Sequence, residues 1–318
     1  IALDQNGKEV QRMGSVTQVT TGERVSCVGC HEPRLSAPPA EAQREVRSGR
    51  LPDALRPPPW GAGPVDYVRQ VQPVFDRSCV RCHSGRTPAA RMDLSGDKTR
   101  FFSMSYESLC ERKLVAYYFI NPGPTGVFPA LKTGSMASRI TEVIERKHHG
   151  VELDDESRRR LYAWIDANAP YYGTFEMSRP YTMGGRDTWH FVPENARVPL
   201  LPEPWFAELQ KVFERSCVAC HGELETSGLS RKNLWINLTR PVNSLLVNAH
   251  LSKAAGGLGL SGLRQNIRSP VFETCDNPVY RALLSALQKG KACLDQRPRM
   301  DMPGAVALPQ ARDFGRTF

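Results

Sequence analysis

Apolar positions recur at helical spacing in two widely separated stretches of this chain, and the two stretches share more than their spacing. Val68, Val71 and Phe75 mark one apolar stripe; Trp205, Phe206, Leu209, Val212 and Phe213 mark the other. Each predicts an amphipathic helix. The first runs on as Val71-Gln72-Pro73-Val74-Phe75-Asp76-Arg77-Ser78-Cys79-Val80-Arg81-Cys82-His83, the second as Leu209-Gln210-Lys211-Val212-Phe213-Glu214-Arg215-Ser216-Cys217-Val218-Ala219-Cys220-His221. Nine of the thirteen positions are identical, so one module is present twice.

A third pattern lies between the copies. Over residues 154–169, Leu161, Trp164 and Ile165 share one face, Asp154, Asp155 and Glu156 sit in the first turn, and Pro170 stops the run. This predicts a helix that closes the first copy. Upstream, residues 20–26 read as turn or extended chain, and Pro33, Pro38 and Pro39 follow at once, so no long helix is expected there. Two linkers are expected: the proline-rich stretch 52–64, and 171–204, rich in Gly, Pro and aromatics. The boundaries that result are 1–60, 61–185 and 186–318.

Six of the nine cysteines fall in three sequences of one form: Cys27-Val28-Gly29-Cys30-His31, Cys79-Val80-Arg81-Cys82-His83 and Cys217-Val218-Ala219-Cys220-His221. Cys-x-x-Cys-His is the attachment sequence of haem c. The two thiols add across the porphyrin vinyl groups, and the histidine beside the second cysteine is thereby set under the iron. Zinc knuckles would use paired cysteines without needing a histidine after every pair, and three pairs leave one knuckle over. A thioredoxin-type dithiol wants one motif beside a βαβ unit, which the pattern lacks. Three covalent haems c are therefore expected, with His31, His83 and His221 as proximal ligands. The fold expected is mainly α: cytochrome c-like haem domains in tandem, with an irregular, β-containing N-terminal haem segment.

The sixth ligands are harder to read. His148, His149, His190 and His250 are the histidines outside the motifs. His148 and His149 lie downstream of the second motif and just before the closing helix, where a ligand from the far side of the haem belongs. For the third haem, Arg299-Met300-Asp301-Met302-Pro303-Gly304 sets a methionine before a proline as in the Met loop of small cytochromes, so Met302 is preferred to His250. For the first haem, Met13, His190 and an open position stand level.

The net charge of +9 changes the picture little. Its densest basic run, Arg158-Arg159-Arg160, shares a predicted helix face with Asp154, Asp155 and Glu156, and haem propionates would take up further arginines. No nucleic acid is expected as a partner. No apolar run approaches the roughly 18 residues of a transmembrane helix. Haem c attachment implies a periplasmic, extracellular or cell-surface protein with an export signal upstream of Ile1. In that setting Cys275 and Cys293 are candidates for a disulfide or for two buried thiols, with Cys110 left as a lone buried thiol.

The chain resembles the cytochrome portion of the hydrazine synthase alpha-subunit-like family. The likeness rests on Gln11-Arg12-Met13, Gly22-Glu23-Arg24 and the stretch from Cys27 to Arg34, then Pro64-Val65-Asp66-Tyr67, Gly134-Ser135 and Ser138-Arg139. It continues through His148-His149-Gly150-Val151, Trp164-Ile165-Asp166-Ala167-Asn168-Ala169-Pro170 and Tyr172-Gly173-Thr174 to Asp301-Met302-Pro303-Gly304. The resemblance implies His148 rather than His149 as ligand, and a β-propeller commonly precedes this region in the family. It also implies two haems, one with a tyrosinate ligand shortly after its motif; this chain has three motifs and no tyrosine in residues 32–37. The function expected is electron transfer between redox proteins, with subunits of a larger complex among the partners. A haem enzyme acting on a small nitrogen or oxygen species at an open first haem is the alternative, and a structural haem subunit a third reading.

Overall fold

The computed structural model describes residues 1–12, 21, 35, 56–116, 129–173, 204–224, 231–260, 271–296 and 298–305. Ile1–Arg12, Pro64–Ile120 and Phe128–Phe318 form one compact unit, and Met13–Gly63 with Asn121–Val127 a second. The first twelve residues thus belong to the larger unit. The first attachment sequence, Cys27, Cys30 and His31, falls in the second unit and outside the described residues, as do Met13 and His190.

The architecture is mainly α, with one two-stranded sheet among the described residues. Strands β1 (Ala2–Leu3) and β2 (Glu9–Gln11) pair antiparallel. Backbone N–H of Glu9 donates to Ser135 Oγ at 3.0 Å and to Asp166 Oδ2 at 3.2 Å, which ties this hairpin to the helices beyond it. Gly134 sits at the join with φ +67°, and a Cβ there would meet the Asp166 and Glu9 carboxylates at 2.6 Å. Glycine alone fits that approach.

Helix α1 (Gln72–Ser78) grows out of a π-helical turn, Tyr67–Val71. It is followed by α2 (Met104–Glu111), α3 (Gly134–Ala137), α4 (Arg139–Glu145) and α5 (Asp155–Asp166). Helix α5 is the closing helix predicted from the pattern. Asp154 caps it by accepting from the Ser157 N–H at 2.6 Å, and Asp155 and Glu156 pair with Arg158 and Arg160, so the basic run is a charge-paired face. Its apolar side, Leu161, Trp164 and Ile165, is completely buried against Tyr67, Val71, Phe75 and Leu109. Left-handed Asn168 and Ala169 end it, and Trp164 Nε1 donates to the Pro170 carbonyl at 2.8 Å.

The second copy of the repeat supplies α6 (Pro204–Ser216) and α7 (Val218–His221), followed by α8 (Leu245–Asn248) and a 19-residue helix, α9 (Pro278–Gln296). Trp205, Leu209 and Phe213 of α6 pack with Leu283, Ala286 and Leu287 of α9 in a core separate from the first. The two helices approach most closely at Gly290, where a Cβ would lie 2.8 Å from the Trp205 ring. Cys275 precedes α9 and Cys293 lies near its end, about 22 Å further on at 1.5 Å per residue. No disulfide can span that gap, and both are free thiols. Cys110 is a buried thiol, as expected, and burial pushes it up to about 12.

The two cores have separate interiors but a shared polar seam. Leu238 N–H donates to the Lys98 carbonyl at 2.7 Å, and Asp97 accepts from Asn237 at 2.6 Å and from Arg240 at 2.7 Å. Arg299 is completely buried, donating to the carbonyls of Thr99 at 3.1 Å and Phe102 at 2.7 Å and pairing with Asp301 at 2.9 Å. Asp301 also accepts from Tyr171 Oη at 2.5 Å and pairs with Lys98 at 3.0 Å. Burial alone would raise its carboxyl, yet Arg299 and Lys98 hold it down at about 2. Among the described residues no helix is long and apolar enough to cross a membrane.

Candidate functional site

Both described Cys-x-x-Cys-His sequences fold in the same way. At the end of α1, Cys79 N–H donates to the Phe75 carbonyl at 2.8 Å and His83 N–H to Cys79 at 3.0 Å; after α6, the matching bonds from Cys217 to Phe213 and from His221 to Cys217 measure 2.7 and 3.1 Å. The amphipathic helix buries its phenylalanine one turn before the first cysteine, and that anchor sets where the Cys-x-x-Cys-His turn begins. Cys79 and Cys217 are half-buried and Cys82 and Cys220 exposed. Burial first, and then the neighbouring thiol of each pair, pushes Cys79 and Cys217 up to about 11.

Each of the two described motif histidines, His221 and His83, meets a second histidine. His221 Nε2 lies 3.2 Å from His250 Nε2, their ring centroids 5.4 Å apart. His83 and His148 stand 6.2 Å apart, centroid to centroid. An atom held by two imidazoles at about 2 Å each needs nitrogens about 4 Å apart, so a small separation of His221 and His250 admits a metal between them.

Hydrogen bonds set which nitrogen is presented. His250 Nδ1 is 2.7 Å from the Leu260 carbonyl, and His83 Nδ1 is 3.1 and 3.3 Å from the carbonyls of Ala89 and Met92. A carbonyl only accepts, so each Nδ1 carries the proton and each Nε2 keeps its lone pair for a metal. Burial, then the charges of His250 and Lys232, lowers His221; burial, then His149 and His83, lowers His148. Both shifts favour the neutral, ligating form.

His221 and His250 stand in a cavity of about 510 Å³, within the range of cofactor sites. Cys217 lines it, and Phe213, Leu234, Trp235 and Leu246 give it apolar walls. The opposite wall comes from the first module: Gly85, Pro88, Ala90 and Arg91, from the loop after His83, together with Met104 and Ser108 of α2. Ala90 and Arg91 both adopt left-handed backbone, with φ of 51° and 52°. Side chains with a Cβ rarely adopt it, and such strain concentrates where function over-determines the fold. Lys147 and His149, flanking His148, show the same feature with φ of 51° and 50°.

Met302 packs against the second core and is not among the residues lining the cavity, whereas His250 lines it and faces His221. The Asp-Met-Pro-Gly stretch has a structural use through Asp301 instead. On the first module, His148 is the neighbour of His83, and His149 packs edge-on against His148 at 4.3 Å. Among the described residues no three His, Cys, Asp or Glu side chains gather to hold a bare ion. A haem c asks for two thiols, an imidazole on each side and an apolar slot, and the residues around His221 fit those demands. Compared with family models, curated proteins and solved structures, the chain gives no match.

Proposed function

We propose that the chain is a multihaem c-type cytochrome that passes electrons between redox proteins outside the cytoplasm. The observation that carries this reading is the facing of His221 and His250, with Nε2 atoms 3.2 Å apart at the rim of an apolar cavity and the thiol of Cys217 beside them. An iron held by imidazole on both sides has no free position for substrate, which suits electron transfer rather than catalysis. His83 and His148 form a second, more open histidine pair, with ring centroids 6.2 Å apart. When bound, the haem supplies an iron that cycles between ferric and ferrous states.

The chain supplies what lies between two such sites. His83 Nδ1 donates to the Ala89 carbonyl, and the next two residues, Ala90 and Arg91, line the cavity of His221. One short loop thus touches the ligand of one site and the wall of the other. The third haem proposed, at Cys27, Cys30 and His31, rests on the attachment sequence alone. The partners proposed are redox proteins, including subunits of a larger complex, and the resemblance to the hydrazine synthase alpha-subunit-like family is kept as a proposal of the same rank.

The test is the absorption spectrum of the dithionite-reduced, exported protein, with haem quantified per chain before and after carbon monoxide. Three haems, with no carbon monoxide shift from the two described sites, are expected. Absence of covalent haem would overturn the reading, and carbon monoxide binding by most of the haem would move it from electron carrier to enzyme.

A further inference from the structure

We infer that Arg91, Arg112 and Arg231 form a clamp for the two propionates of the haem in the His221 cavity, fixing which edge of the porphyrin faces the first module. The inference rests on the haem reading above and adds the orientation of the group and the residues that charge its site.

All three guanidinium-bearing residues line the one cavity, although they come from three separate segments. Arg91 follows the loop after His83, Arg112 ends α2, and Arg231 precedes the turn that carries Trp235. They lie close enough for Arg231 and Arg91, after burial, to lower Arg112, so three like charges converge. All three are exposed, so solvent screens much of their repulsion, but their convergence still makes this wall favourable for an anion. Among the described residues none of the three forms an ion pair, while Arg158, Arg160, Arg240, Arg281 and Arg299 all do. Arg112 donates to the backbone carbonyls of Ala90 and Arg91, which stiffens the wall without neutralising it.

The acids on the cavity do not cancel this charge. Asp93 is buried and accepts from the Ser95 N–H at 2.8 Å, and burial raises its carboxyl toward the neutral form. Glu111 is the other carboxylate of the lining. A surplus of guanidinium beside an apolar slot with two facing imidazoles suits a ligand that is flat and apolar with carboxylates on one edge. Guanidinium takes carboxylate oxygens in pairs, a geometry that lysine cannot reproduce.

The experiment compares the exported wild-type holoprotein with Arg112→Gln, Arg231→Gln and the double variant, using Arg159→Gln, on the outer face of α5, as a control for general charge. The readouts are haem per chain, a spectroelectrochemical titration, and the propionate bending bands in the resonance Raman spectrum. Removing a nearby positive charge disfavours the more negative ferrous state. The double variant should therefore keep its haem and its bis-imidazole spectrum while one component of the titration moves to lower potential, by about 59 mV if the ferric–ferrous equilibrium changes tenfold. The propionate bands should shift with it, and Arg112→Lys should restore the potential more fully than the bands. Unchanged bands, or a displacement of every component equal to that of Arg159→Gln, overturns the clamp and leaves the haem reading intact. Protein without covalent haem in the wild type overturns both.

Discussion

The Nε2 of His221 faces the Nε2 of His250 across 3.2 Å, while the Nδ1 of His250 is held by the Leu260 carbonyl at 2.7 Å. The carbonyl fixes the ring so that its free nitrogen can point only at the partner histidine. His250→Ala should therefore open one haem: carbon monoxide should shift about one third of the reduced spectrum. Met302→Ala should leave the spectrum of the reduced protein, with or without carbon monoxide, as in the wild type. The reverse pattern would return the ligand role to Met302.

A parallel pair separates the two adjacent histidines. His148 stands by His83, and His149 packs edge-on against His148. His148→Ala should add a carbon monoxide-sensitive haem of its own, whereas His149→Ala should not, because His148 is the ring beside His83. Carbon monoxide difference spectra of the two variants decide it.

Buried Glu107 makes stability depend on pH. It lies in α2, accepts from the Thr99 hydroxyl, and faces Asn233, Arg299 and Glu111. Burial outweighs the hydrogen bonds and pushes its carboxyl up to about 8, from an ordinary 4.5. The folded chain then holds a proton that the unfolded chain releases. Its contribution is full below about 4.5 and is lost as pH rises through about 8. Glu107→Gln should flatten the fall of the urea midpoint over that window. An unchanged slope would mean that the carboxyl stays ionised.

Asp301 has the opposite sign. With its carboxyl held at about 2 by Arg299 and Lys98, its contribution is present above the ordinary 3.8 and lost as pH falls through 2. Removing the charge with Asp301→Asn leaves Arg299 buried beside Lys98 and should cost about 3–5 kcal/mol. Chemical denaturation at pH 7 measures this.

Gly290→Ala tests the packing of α6 on α9. In an open helix the change would stabilise by about 1 kcal/mol. Here the new methyl meets the Trp205 ring at 2.8 Å, so a loss of about 1–3 kcal/mol is expected in the thermal midpoint.

The parts of the molecule legible in the sequence are those whose signal is local. The repeat, the phenylalanine that anchors each attachment turn, and the cap and stop of α5 can all be read within a dozen residues. Helix α9 was also legible, since Tyr280, Leu283, Ala286, Leu287 and Leu294 recur at helical spacing behind Pro278. The facing of His250 and His221 was not legible, because nothing in the 28 residues between them encodes that the chain turns back. The place of Met302 was not legible for a related reason: its neighbour Asp301 meets Lys98 and Tyr171 at the seam, and the contact with Tyr171 spans 130 residues.

The loop from Pro88 to Arg91 belongs to one copy of the repeat by sequence and walls the cavity of the other. Two copies that began as equivalents are no longer separable. Cutting the chain between them would leave His221 and His250 with one side of their cavity open, so the half carrying them is not expected to keep that site on its own. The duplication still visible in the residues has become, in three dimensions, a single indivisible object.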